Sequence, residues 1–166
     1  CSELLWSTGY NLMQYPEKNG AEGKRVYAEA ASGFKVSKDG KTYTFTIRSG
    51  FKFSNGQPVT ARSFVNAFNR FANPKMQSTG IQFLDIIQGA QAVIDGKAST
   101  VSGVTAKGNK LVIRLTRASP DLLARMTMPF LQAIDTKLAG QIDANGINEY
   151  ASCGPYYFSA RTPGRS

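Results

Sequence analysis

The sharpest pattern in the chain is residues 42–48, "TYTFTIR", where apolar and polar positions alternate without a break. Tyr43, Phe45 and Ile47 fall on one face, the threonines and Arg48 on the other, as expected of a half-buried antiparallel strand and one arm of a hairpin. Phe34 and Val36 predict a short strand before it, with "SKDGK" turning the chain between the two. After the turn-rich "FSNGQPVT" the period changes to that of a helix. Thr60 caps it, Phe64, Val65, Phe68 and Phe71 form its apolar stripe, and Asn73-Pro74 ends it, because the residue before a proline avoids the helical region. A second helix is expected over residues 81–94, with Phe83, Ile86, Ile87, Ala90, Val93 and Ile94 inward and Asp95-Gly96 as its stop.

Residues 104–115 predict another hairpin: "VTA", a "KGN" turn, then "KLVIRL" with Leu111, Ile113 and Leu115 on one face. Ser119-Pro120-Asp121 opens a helix over residues 121–128 that stops at Pro129. At the amino end, Ser2 caps a helix with Leu4, Leu5, Thr8, Leu12 and Met13 on one face, ending by Pro16. Residues 131–134 and "GPYYFSA" read as short strands, the latter with Tyr156 and Phe158 on one face and Tyr157 on the other. The order of elements implies an α+β fold, mostly antiparallel sheet built from hairpins with packed helices.

Composition narrows the chemistry. The 166 residues fit a single domain, 1–166, able to bury a core without metal or disulfide, and 42% hydrophobic with 19% charged residues excludes general disorder. Twenty basic against 11 acidic side chains give a charge of +9, which favours anionic partners, yet the charges are dispersed. The lopsided stretch is 35–75, where eight Lys and Arg meet one acid, Asp39, either as a solvated basic face or as a binding patch. A nucleic-acid-binding α+β module is therefore the alternative, with Phe51 and Phe53 between Arg48 and Lys52 as stacking candidates. Against an RNA-recognition motif, Gly50 and Phe51 fit, but Ser49, Lys52, Ser54 and Gly56 do not, so no nucleic-acid partner is expected.

Histidine is absent, which removes Ser-His-Asp and Cys-His catalysis and every imidazole metal site, and the acids are scattered singly. "DGKAS" fails as a phosphate loop, since Gln91 and Ala98 stand where glycine and Ser or Thr are required. No enzyme, catalytic residue, metal or cofactor is expected. Cys1 and Cys153 are either a disulfide pair or two independent thiols. No apolar run approaches the roughly 18–20 residues that span a bilayer, and no signal-peptide pattern opens the chain.

Several stretches in order carry a resemblance. "VSKDGKTYTFTIRSGFKFSNGQPVTARSFVNAFNRFANP" is similar to the amino-terminal region of the family 5 extracellular solute-binding proteins, the peptide, dipeptide and nickel receptors of ABC importers. Its "DGkTyTFxlR" strand and "gvkFxdGxPvTAxDv" turn match at Asp39-Gly40, 43–48, Phe53, Gly56, 58–61 and Arg70, with Asn55 and Ser63 where the family has Asp. "IIQGAQAVIDGKASTVSGVTAKGNKLVIRL", "TRASPDLLARMTMP" and "CGPYYFS" follow in the family's order, with Cys153 replacing a small residue.

The resemblance implies part of lobe I of a periplasmic-binding-protein-like type II fold, a fragment of a larger two-lobed receptor. It implies capture of peptides or a similar small solute, an ABC permease as partner, and a location in the periplasm or on the outer side of the membrane, with any membrane anchor outside this segment. Cys1 is not expected to carry a lipid, because Ser2 onward matches an internal helix. Ligand-facing positions carried over are Gln82 and Phe83, after the "R…P" helix, and Gly154 and Tyr156, near the connection between lobes. Phe83 has a competing place in the helix core.

Overall fold

The structure, a computed structural model, describes residues 6–142, 150–157 and 159. In chain order the elements are β1 (Met13–Gln14), α1 (Gly20–Gly23), β2 (Tyr27–Ala28), β3 (Ala31–Val36), β4 (Thr42–Ile47), α2 (Ala61–Ala72), α3 (Ala90–Ile94), β5 (Val104–Lys107), β6 (Lys110–Arg114), α4 (Leu122–Arg125) and α5 (Thr136–Gly140). Single 3₁₀ turns lie at Pro74–Met76, Ile81–Leu84 and Pro129–Leu131.

The alternation in β4 does what its period requires: Tyr43, Phe45 and Ile47 are buried. β4 is a central strand of an antiparallel sheet ordered β3-β4-β6-β5, paired Phe34↔Phe45 on one side and Phe45↔Leu111 on the other. A register shift between Ala31 and Gly33 bends the edge strand β3. The β5–β6 hairpin turns at Gly108, whose φ of +56° favours glycine. β1 and β2 form a separate two-stranded ribbon.

Helix α2 lies against β5 and β6 and supplies the centre of the core. Phe45, Phe64 and Phe68 are fully enclosed, each burial stabilising by about 1.5–3 kcal/mol. Thr60 and Ser63 close the helix start as a capping box, the Thr60 N–H donating to Ser63 Oγ at 3.2 Å. Asn73 ends it as expected, and its side chain accepts from Lys75 N–H.

Five expectations are corrected. Leu12 and Met13 are buried, but on an extended segment: helix ends at residue 8, where a Cβ on Gly9 would lie 2.1 Å from Gln132 Oε1, and Met13 pairs with Ala28. The helix over 81–94 is broken in two. Residues 86–88 run along the end of β6, with Ile87 bridged to Leu115 and Gln88 N–H donating to Arg114 O at 2.9 Å, so sheet pairing overrides the helical spacing. Gly89, at φ +77°, then restarts the helix as α3.

Helix 121–128 shortens to α4, its last turn tightening into i+3 bonds such as Met128 N–H to Arg125 O. The strand at 131–134 is instead a 3₁₀ turn and an extended link that leads into the unanticipated α5, whose N-cap Asp135 accepts from Leu138 N–H at 2.8 Å. The strand at "GPYYFSA" is absent from its described part: Cys153 and Gly154 N–H groups share Thr8 O, and Tyr156 N–H donates to Ser7 O. Ser2 and Phe158 lie outside the described residues.

Candidate functional site

Gln82 and Phe83 occupy the 3₁₀ turn Ile81–Leu84, Gln82 exposed and Phe83 half-buried. The turn is anchored from below by Leu84, fully enclosed, and from the side by an aromatic row. Phe71, from the last turn of α2, stacks on Phe130 with centroids 4.4 Å apart and planes within 7°, and Phe83 leans on Phe130 at 5.6 Å. Gly80 permits that row, since a Cβ there would lie 3.1 Å from the Phe130 ring and 3.2 Å from Phe71.

An ionic network holds the other side of the turn. Arg125, whose side chain is only 16% exposed, donates from Nη1 to Phe83 O at 2.9 Å and to Asp85 Oδ1 at 2.5 Å, and from Nε to Asp121 Oδ2 at 2.8 Å. Arg117 Nη2 reaches Asp85 Oδ2 at 3.1 Å, and Ser119 Oγ donates to Asp121 Oδ1. The Arg125 hydrogen bond holds the Asp85 carboxyl below the usual range; Ser119 and then Arg125 do the same for Asp121. Phe130 and Arg125 were not foreseen as neighbours of this turn. They lie 47 and 42 positions beyond Phe83, a separation that residue spacing cannot bridge.

The second pair is elsewhere. Gly154 packs against main chain, a Cβ there meeting Gly9 N and Ser7 O at 2.7 Å, so the position admits only glycine. Tyr156 is 68% and Tyr157 69% exposed. No hydrogen bond or ring contact among the described residues joins Gly154 and Tyr156 to Gln82 and Phe83.

Phe51 and Phe53 are not a stacking platform. Phe53 is 3% exposed, and Phe51 packs on Tyr10 with centroids 4.7 Å apart. Beside Phe51, with Arg48, Val59 and Thr60, lies a concavity of about 290 Å³, at the lower limit of small-molecule sites. Among the described residues no group of three His, Cys, Asp or Glu could hold a metal, and no helix is long and apolar enough to cross a membrane. Cys153 is a buried free thiol whose pKa burial pushes up to about 11.

The antiparallel sheet with its packed helices defines an α+β domain, and the chain belongs to the bacterial extracellular solute-binding proteins, family 5 (Middle), whose model matches residues 25–166. Among its relatives, the oligopeptide-binding protein OppA of Bacillus subtilis (strain 168) is 36% identical over 135 residues, 78% of this chain and 25% of its own length. The periplasmic murein peptide-binding protein MppA of Escherichia coli (strain K12) is 41% identical over 88 residues, 51% of this chain and 16% of its own. The chain thus spans a quarter or less of these curated relatives.

Among solved structures, the pheromone receptor PrgZ superposes with a TM-score of 0.84 at 26% identity, covering 99% of this chain and 33% of its own. The substrate-binding domain of an oligopeptide ABC transporter from Bacillus anthracis str. Ames gives 0.83 at 29% identity, covering 95% and 30%. The fold is that of the type II periplasmic-binding-protein-like proteins.

Proposed function

We propose that this chain is part of the first lobe of a two-lobed receptor that captures peptides outside the cytoplasmic membrane and passes them to an ABC permease. It performs no chemistry. The observation that carries the reading is the agreement of fold over nearly the whole chain with the PrgZ pheromone receptor, whose structure describes peptide binding, at 26% identity. Gln82 and Phe83 form a ledge on the ligand side of this lobe. Gly154 and Tyr156 belong to the connection between lobes, and the exposure of Tyr156 and Tyr157 fits a surface that the remainder of a receptor covers.

A ligand held between two lobes draws affinity from both and from closure around it. The isolated chain is therefore expected to bind short peptides at best weakly. Titration calorimetry with a peptide mixture tests this: no heat in the micromolar range is expected, and micromolar binding by the chain alone would contradict a shared site. A graft supplies the positive arm. This chain replaces the matching segment of Bacillus subtilis OppA, and the folded graft is expected to bind peptide.

A further inference from the structure

We infer that Arg125 is the positioning residue of the ligand ledge, fixing where Gln82 and Phe83 stand; the inference rests on the assignment of those two residues to the ligand side. The ledge is a single 3₁₀ turn, in which Phe83 N–H donates to Gly80 O at 3.0 Å and Asp85 N–H to Gln82 O at 3.3 Å. Such a turn has poorer hydrogen-bond geometry than an α-helix and does not hold its own shape. Contacts with the rest of the fold have to define it, and among side chains these are the core around Leu84, the Phe130 ring against Phe83, and Arg125.

Arg125 is the one of these that grips main chain. Its guanidinium meets the Phe83 carbonyl and the Asp85 carboxylate with Nη1, so it spans both sides of Leu84, and Nε is held by Asp121 one helical turn back. Arg117 holds the second Asp85 oxygen, so the carboxylate cannot swing away from Arg125 without breaking another ion pair. A planar fork with several donors in fixed directions can do this, whereas a lysine ammonium, a point charge on a flexible stem, cannot reproduce it. The side chain is largely enclosed, so solvent screens these contacts less than it would an exposed pair. Phe83 then presents its ring from a fixed backbone, tilted against Phe130, and Gln82 stands exposed beside it.

Two measurements test this. In the chain itself, amide hydrogen exchange in Arg125→Gln should accelerate about tenfold or more at Phe83 and Asp85 while β4 and β6 keep their protection. In the OppA graft, with Ala-Phe-Ala as the probe, Arg125→Gln should weaken binding about tenfold, Arg125→Lys should restore only part of it, and Phe83→Ala added to Arg125→Gln should cost less than the two single losses combined. If Phe83→Ala weakens binding and Arg125→Gln does not, the positioning role is overturned. If Phe83→Ala leaves binding intact, the ledge itself is misassigned, and the inference falls with it. Should Arg125→Gln fail to fold, Asp121→Ala, which removes the acceptor of the Nε hydrogen bond, carries the same test: weakened binding supports the role, and unchanged binding and exchange overturn it.

Discussion

Glu29 stands between β2 and β3 with its Oε2 accepting the Asn11 N–H at 2.7 Å, and burial pushes its pKa up to about 7. Tyr10 and Cys153 are its titratable neighbours, and Arg48 binds its main-chain carbonyl, not its carboxylate. The folded chain holds this proton more tightly than the unfolded chain does. Glu29 therefore contributes stability that is complete below its ordinary pKa and is lost as pH rises through about 7. Glu29→Gln keeps an oxygen for Asn11 without the charge. Thermal unfolding should show the variant more stable than the parent near about pH 8 and little changed near about pH 4, and equal shifts at both would contradict the burial argument.

Asn55 is a second residue whose identity is set by its neighbour. Where the resembling family carries Asp, this chain has an amide that donates from Nδ2 to Asp135 Oδ2 at 2.9 Å, and Asp135 is 2% exposed. An aspartate at 55 would lose the donor and leave the buried Asp135 oxygen without its partner. Asn55→Asp should cost about 1–3 kcal/mol near neutral pH. Denaturant titration checks the size, and an unchanged stability would contradict the pairing.

At the scale of elements, what was legible depended on whether a segment's partners lie close by. β4, α2 and the β5–β6 hairpin follow from local period and turn residues, and each bears out the expected face. The helix over 81–94 does not, because Ile86–Gln88 are claimed by β6, a strand with its own strong pattern, and periodicity cannot register a competing partner. Met13 is buried as expected but by a ribbon with Ala28. α5 spans five residues, too few for a helical period to register in the sequence. The candidate ledge follows from resemblance alone, because its supports Phe130 and Arg125 lie more than 40 positions away in the chain. Gly89 is the test at this scale: an added Cβ would meet Ser102 Oγ at 2.2 Å and Ser102 N at 2.9 Å, at a φ of +77°. Gly89→Ala should destabilise by more than about 1 kcal/mol in thermal or chemical unfolding, and a neutral result would contradict the restart of α3 at this residue.

For the whole molecule, Phe51 and Phe53 of the basic stretch are packing residues, Phe51 against Tyr10 and Phe53 within the core. The fold is shared along nearly all of the chain with receptors of which it spans about a third. On the proposed reading this chain supplies one wall of a cleft, and its contribution is visible only when the opposite wall is present. Peptide titration of the OppA graft is the most direct measurement of that claim. Peptide binding within about tenfold of the parental OppA is expected. A graft that folds with the parental thermal transition yet binds no peptide would contradict it.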